Sequence, residues 1–179
     1  MLNIEATLNT KFPNIDQTFK GRLAKKFIKR FAHEEEINQF IQAHPHLEGV
    51  SFIHKVFEHF DFAYYICSAS RKNIPAQGRV IIVANHPIGT LDGMALFDMV
   101  RSIRKDVKVV ANELLNQVKP LRSCFFPINN MSPRASHKTQ FKAMTEALKL
   151  DQAVIIFPAG EVSRFGPKGV HDADWKTGF

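Results

Sequence analysis

The chain contains no apolar run approaching the roughly 20 residues that a bilayer-spanning helix requires. Its first residues, Met1 to Phe12, also lack the charged-then-apolar pattern of a secretory signal. Cysteine is scarce. Cys67 and Cys124 are the only two, without metal-ligand spacing and too few for a disulfide framework. These absences predict a cytoplasmic protein. No internal repeat and no low-complexity segment is present, which excludes solenoids and arrays. No Gly-x-Ser-x-Gly elbow occurs, which argues against a lipase-type serine hydrolase. Acidic residues fall short of basic ones, 17 against 24, leaving a formal net charge of +7. Such an excess implies an anionic partner, but charge alone does not choose between nucleic acid, a membrane surface and a phosphorylated substrate.

What is present is a globular composition: 179 residues, 45% hydrophobic and 23% charged, enough for one ordinary domain with a core. Residues 1 to 15 are polar and aperiodic. From Phe19 the apolar positions run Phe19, Leu23, Ala24, Phe27, Ile28 and Phe31, one helical face, while Lys20, Arg22, Lys25, Lys26, Lys29 and Arg30 fill the remainder. This predicts a basic amphipathic helix over residues 16 to 32. Two readings fit it equally: a helix packed on the domain with a solvated charged face, or one adsorbed to an anionic bilayer. Nucleic-acid binding ranks third.

A second helical segment starts in the acidic cluster His33 to Glu36 and ends before Pro45, and a third is expected over roughly Val50 to Ile66. The aromatics of the third, at helical spacing, read as core. His44, His46, His54 and His59 have no metal-like pairing and read as surface or core residues.

After a polar connector, Arg71 to Gly78, the pattern changes to strands alternating with helices. Strands are expected at Val80–Ala84, Val107–Ala111, Cys124–Ile128 and Ala153–Phe157. Between them helices are expected at Gly93–Arg104 and about Ala135–Leu150, with a helical turn at Glu113–Val118. That alternation predicts an α/β fold, a mainly parallel sheet flanked by helices and preceded by an N-terminal helical region. The division expected is 1–74 for the N-terminal region and 75–179 for the α/β part. No strand-like run is evident after Phe157.

The most informative stretch is Ile81-Ile82-Val83-Ala84-Asn85-His86-Pro87-Ile88-Gly89-Thr90-Leu91-Asp92-Gly93. A β-branched strand ends in an imidazole, turns through Pro87 and Gly89, and meets a carboxylate near a helix start. Residues at the carboxyl ends of strands in open α/β sheets line the ligand crevice. A His and an Asp across a tight loop can form a dyad, in which the carboxylate fixes the tautomer and the other imidazole nitrogen takes a proton. No Ser or Cys in the motif offers itself as nucleophile, so the simplest chemistry lets His86 deprotonate a substrate hydroxyl. The structural alternative is that Asp92 or Thr90 caps the helix and His86 is a bonded loop residue. A second strand-to-turn stretch, Ile155-Ile156-Phe157-Pro158-Ala159-Gly160-Glu161-Val162-Ser163-Arg164, brings polar side chains to the same sheet edge. Ser163 and Arg164 there are candidates to hold a phosphate or carboxylate, and a plain surface loop is the competing reading.

The two stretches together, Asn85-His86-Pro87-x-Gly89-x-x-Asp92-Gly93 and Phe157-Pro158-x-Gly160-Glu161-x-Ser163-Arg164, resemble the glycerolipid and lysophospholipid acyltransferase superfamily, and within it the bacterial hemolysin-like branch. The resemblance covers about residues 75 to 179, including Asp174-Trp175-x-x-Gly178-Phe179, which looks like the tail segment of that branch. It implies His86 and Asp92 as the catalytic pair, and Asn85, Gly89, Gly160, Glu161, Ser163 and Arg164 as substrate-binding residues. It places an intermediate block near Phe125-Phe126-Pro127-Ile128-Asn129. It also implies that the chain stops short of a fourth block and of strands that would extend the sheet.

Three departures stand out. Five residues rather than four separate His86 from Asp92; Ala159 replaces the usual glutamate, with Glu161 two places on and Val162 at the usual arginine position; and the intermediate block offers Asn129, Asn130 and, further on, Arg134 in place of its arginine. They weaken the case for a glycerol-phosphate acceptor and leave equally open the lyso form of an amino-acid-containing or other lipid. The resemblance therefore implies an O-acyltransferase moving a fatty acyl group from acyl-CoA or acyl carrier protein to a hydroxyl of a lysolipid. It implies no metal and no bound cofactor, an anionic membrane surface and no nucleic acid as partner, and a peripheral place on the inner face of the cell membrane. The competing expectations are a thioester or lipid hydrolase and a basic membrane-binding module without catalysis.

Overall fold

A computed structural model describes residues 34–111, 115–126, 133–160, 162–166 and 169–175, together with residues 3, 5, 8, 9 and 14–18; of residues 15, 133–138, 165 and 166 it describes the backbone alone. The expected basic helix over 16 to 32 falls almost wholly outside the described residues, apart from a 3-10 turn at Ile15–Gln17.

Helix α1, Glu34–Ala43, opens with three glutamates in its first turn, where the positive end of the helix dipole favours them. Helix α2, Gly49–His59, buries Phe52, Ile53, Val56 and Phe57 along one stripe. It stops at His59, seven residues earlier than the aromatic periodicity suggests. Asp61 turns left-handed (φ 46°), its N–H bonds to the Glu58 carbonyl, and the Phe62 N–H reaches back to the Phe57 carbonyl. This is a Schellman ending with Asp where Gly is usual, sealed by Phe62 against Phe57 at 5.2 Å between ring centroids. His54 on α2 bonds to Asp98 at 2.8 Å, and Tyr64 donates to the same carboxylate. Burial, reinforced by that bond, pushes the Tyr64 hydroxyl up to about 12. A single turn, α3 (Ser68–Arg71), leads into the connector.

Three strands form a parallel sheet: β1 (Val80–Val83), β2 (Val107–Val109) and β3 (Ala153–Ile156). Their order is β1-β3-β2, with Val80 and Val107 both facing Ala153. Helix α4, Thr90–Arg101, links β1 to β2, and helix α5, Pro133–Lys149, precedes β3. The central strand is buried at every position because both faces are covered. Ala153 and Ile155 join the core built with α2 and α4; Val154 and Ile156 join Met144 and Ala147 of α5. On that second face β1 is less covered, and Ile81 and Val83 are each 45% exposed.

The fourth strand expected, Cys124–Ile128, is absent as such among the described residues. Pro120 opens a 3-10 stretch, Lys119–Cys124, and only Phe125 bridges to Val109, as an isolated parallel contact. The expectation of no further strand after Phe157 is also corrected. Strands β4 (Arg164–Gly166) and β5 (Gly169–His171) pair antiparallel as a separate hairpin. Both are three residues long, too short for a period-two pattern to register.

Among the described residues no helix is long and apolar enough to cross a membrane. Beneath the sheet, the buried Arg104 donates to both carboxylate oxygens of Asp106 and to the carbonyls of Pro75, Gly78 and Asp151, tying the connector to the turn before β3.

Candidate active site

Because β1 and β3 are parallel neighbours, the loops that leave their carboxyl ends emerge side by side. The pairing continues one step past β1, where the Ala84 N–H bonds to the Ile156 carbonyl at 3.2 Å. Asn85 and His86 come next on one strand, Phe157 to Gly160 on the other. The two motifs, some 70 residues apart in sequence, thus share one sheet edge.

Helix α4 begins at Thr90, three residues earlier than expected, so Asp92 lies inside its first turn. Gly89 precedes it at φ 98° and ψ −129°, a conformation that L side chains rarely adopt. The carboxylate of Asp92 divides its two oxygens. Oδ2 accepts from the backbone N–H groups of Ile88 at 2.6 Å and Gly89 at 3.2 Å, capping the helix. Oδ1 lies 2.6 Å from Nδ1 of His86. One side chain thus caps the helix through Oδ2 and places Oδ1 against the imidazole of His86. The approach is off the line of a straight hydrogen bond, and neither atom has another polar partner among the described residues. Both side chains are mostly buried, at 16% and 19% exposed, which strengthens their mutual attraction relative to water.

The imidazole is also held by packing. The ring of Phe157 lies over it at 4.4 Å between centroids, and Gly93 has no side chain to crowd either ring. The main chain of His86 is pinned by the second loop, with the Ser163 N–H donating to its carbonyl at 3.0 Å. Gly89 packs close to Val162. Phe157 and Gly93 belong to the two motifs and Val162 stands at the usual arginine position, but none has polar chemistry, so the motifs do not declare their packing role.

Of the other residues expected at the site, Asn85 and Ser163 both bond to Asp172, a residue that motif reading overlooks. The register of the hairpin puts it there: Arg164 pairs with His171, so Ser163 and Asp172 face each other one step beyond. Arg164 starts β4 with its side chain exposed. Gly160 closes the turn after β3, bonding to the Phe157 carbonyl, and borders the cavity described below. Glu161, Asn129 and Asn130 lie outside the described residues, as does the side chain of Arg134.

His86 lines a cavity of about 400 Å³ that runs between the sheet edge, α2 and α4. Ile53, Met94, Phe97, Leu121 and Phe125 make most of its wall apolar. Gln140 contributes a buried amide, whose Nε2 donates to the Ala111 carbonyl at 2.7 Å. Cys124 is there too, its thiol pushed up by burial. The volume falls in the range of small-molecule sites, and an apolar wall with one imidazole at its border suits an extended hydrocarbon with a polar reacting end.

Residues 6–179 match the family described as Acyltransferase. Two curated relatives are each 30% identical over 181 aligned residues: the lyso-glycine lipid O-acyltransferases of Bacteroides thetaiotaomicron and Phocaeicola vulgatus. The alignments cover 100% of this chain but 64% and 63% of those proteins. No solved structure matches the chain.

Proposed function

The chain belongs to the acyltransferase family, and from that premise we propose that it moves a fatty acyl group from a thioester, acyl-CoA or acyl carrier protein, to a hydroxyl of a lysolipid. The observation that carries this reading is the mostly buried His86–Asp92 pair on the border of an apolar cavity. Nδ1 of His86 faces Asp92, which leaves Nε2 to meet a substrate proton. In the reaction Nε2 takes the proton of the acceptor hydroxyl as its oxygen attacks the thioester carbonyl. The tetrahedral adduct then collapses, the C–S bond breaks, and the imidazolium returns the proton to the departing thiolate. Asp92 holds the productive tautomer and stabilises the imidazolium between those steps. The acyl chain occupies the cavity between α2 and α4.

Both relatives bear names that specify a lyso-glycine lipid as acceptor, and the departures at Ala159, Val162 and the intermediate block point away from a phosphate-bearing one. We therefore take the acceptor to be the lyso form of an amino-acid-containing lipid. Such an acceptor sits in a bilayer, and the enzyme meets it as a peripheral protein on the cytoplasmic face. The net charge of +7 and the exposed apolar tips of two site loops, Ile88 and Val162, favour that contact. The branch assignment to hemolysin-like acyltransferases rests on the motifs alone.

The test is a transfer assay with acyl-CoA or acyl carrier protein and a panel of lysolipids. Acylated lipid from a lyso-amino-acid lipid is the expected product. Free fatty acid as the sole product would make it a hydrolase instead, and no turnover of any thioester would leave a binding module.

A further inference from the structure

We propose that Asp172 is a positioning residue for His86, acting through Asn85 and Ser163; its catalytic consequence rests on the transferase reading above. Asp172 accepts from Nδ2 of Asn85 at 3.3 Å and from the hydroxyl of Ser163. Asn85 is covalently next to His86, and the Ser163 N–H donates to the His86 carbonyl. These links close a circuit: Asn85 to His86, His86 to Ser163, Ser163 to Asp172, and Asp172 back to Asn85. The peptide that carries the imidazole is thereby held from both sides by the hairpin.

The arrangement matters because Nδ1 of His86 and Oδ1 of Asp92 are close yet poorly aligned. A modest shift of the His86 main chain decides whether that bond is made. Misplacement of a reacting group by about 1 Å costs on the order of a hundredfold in rate. Solvent-exposed hydrogen bonds contribute little to global stability, so the circuit's effect falls on geometry rather than on folding.

Asp172→Ala removes both acceptors. Asp172→Asn is isosteric and can keep the circuit, its carbonyl accepting from Asn85 and its amide donating to a Ser163 hydroxyl turned to accept. Two measurements apply. Nitrogen NMR of the imidazoles, with the His86 signals assigned by their loss in His86→Gln, should show one dominant tautomer in the wild type and in Asp172→Asn. Asp172→Ala should show a mixture. Steady-state transfer should show kcat lowered about 10- to 100-fold in Asp172→Ala, with KM for the thioester unchanged and most of kcat restored in Asp172→Asn. Ser163→Ala, which deletes the other end of the same bond, should lower kcat in the same way, and it serves should Asp172→Ala fail to fold. Wild-type kcat and a single tautomer in folded Asp172→Ala would overturn the proposal. An Asp172→Asn enzyme as slow as Asp172→Ala would also overturn it, because charge rather than bonding would then be at work. If the wild type transfers no acyl group to any acceptor, the functional reading fails, while the imidazole spectra still decide the role of Asp172.

Discussion

The imidazole of His86 passes over the bare α-carbon of Gly93, with its Cε1 only 3.3 Å from where a β-carbon would stand. Phe157 lies 3.7 Å from the same point, so an added methyl would press on both stacked rings. Gly93 lies in the first turn of α4, where glycine costs helix stability relative to alanine, about 0.5 to 1 kcal/mol. The two effects oppose each other in Gly93→Ala. Thermal melting should be unchanged or slightly raised, while acyl transfer should fall at least tenfold because the ring is displaced from Asp92. A melting curve and a rate measured on one preparation check both signs.

The divided carboxylate of Asp92 makes a sharper case. In Asp92→Asn the side-chain oxygen can still cap Ile88 and Gly89, so stability should drop by no more than about 1 to 2 kcal/mol, the value of a helix cap. The amide nitrogen would then face Nδ1 of His86 and impose the wrong tautomer, a change that costs about ten-thousandfold in comparable dyads. His86→Ala should abolish transfer in a protein that still folds. A folded His86→Ala variant with near-normal transfer would remove the imidazole from the mechanism.

Motif reading reached the His86–Asp92 contact because it is local: His86, Gly89 and Asp92 lie within seven residues and declare strand, turn and helix start. The parallel sheet was legible for a similar reason, since β1, β2 and β3 are β-branched runs between helical periods. What escaped depends on contacts between segments distant in sequence. The packing of Phe157 on His86 joins two motifs some 70 residues apart, Asp172 acts through a hairpin register, and α2 is ended by a left-handed Asp61 that propensity does not announce. Apolar character misled at Cys124–Ile128. There Cys124 ends a 3-10 stretch and is buried with Phe126, and only Phe125 bridges to β2.

Arg104 carries a prediction about stability rather than chemistry. Its side chain is 2% exposed and makes bonds to one carboxylate and three carbonyls. Arg104→Met strips all of them; the Asp106 carboxylate, 40% exposed, can return to water, so the loss falls mainly on carbonyls left without a donor and should be about 1 to 3 kcal/mol. The Asp106 carboxyl is held below its ordinary value, chiefly by the hydrogen bond from Arg104. A lowered native value means that this contribution is complete above the unfolded pKa and is lost as pH falls through the native one. Melting temperature should therefore decline below about pH 4, and the part of that decline due to Asp106 should be missing in Asp106→Asn. Thermal melts of the three proteins between pH 2 and pH 7, a window of about two units on either side of the carboxylate range, read this directly.

Membrane contact separates two sources that act differently with salt. The six basic residues between Lys20 and Arg30 should each contribute about 1 kcal/mol near an anionic surface, a term that shrinks as the Debye length falls from about 10 Å at 0.1 M salt to about 3 Å at 1 M. Insertion of Ile88, 62% exposed on the β1 loop, depends on buried apolar area instead and should persist at high salt. Co-sedimentation with anionic vesicles should therefore drop steeply with salt to a small residue. Charge reversal at Lys25, Lys26, Lys29 and Arg30 should remove the steep part, and Ile88→Ser should lower the residue. Neutral vesicles should show the residue alone. Equal sedimentation with neutral and anionic vesicles at every salt concentration would mean that the basic stretch packs on the protein with its charges in water, and that lipid is reached by another surface.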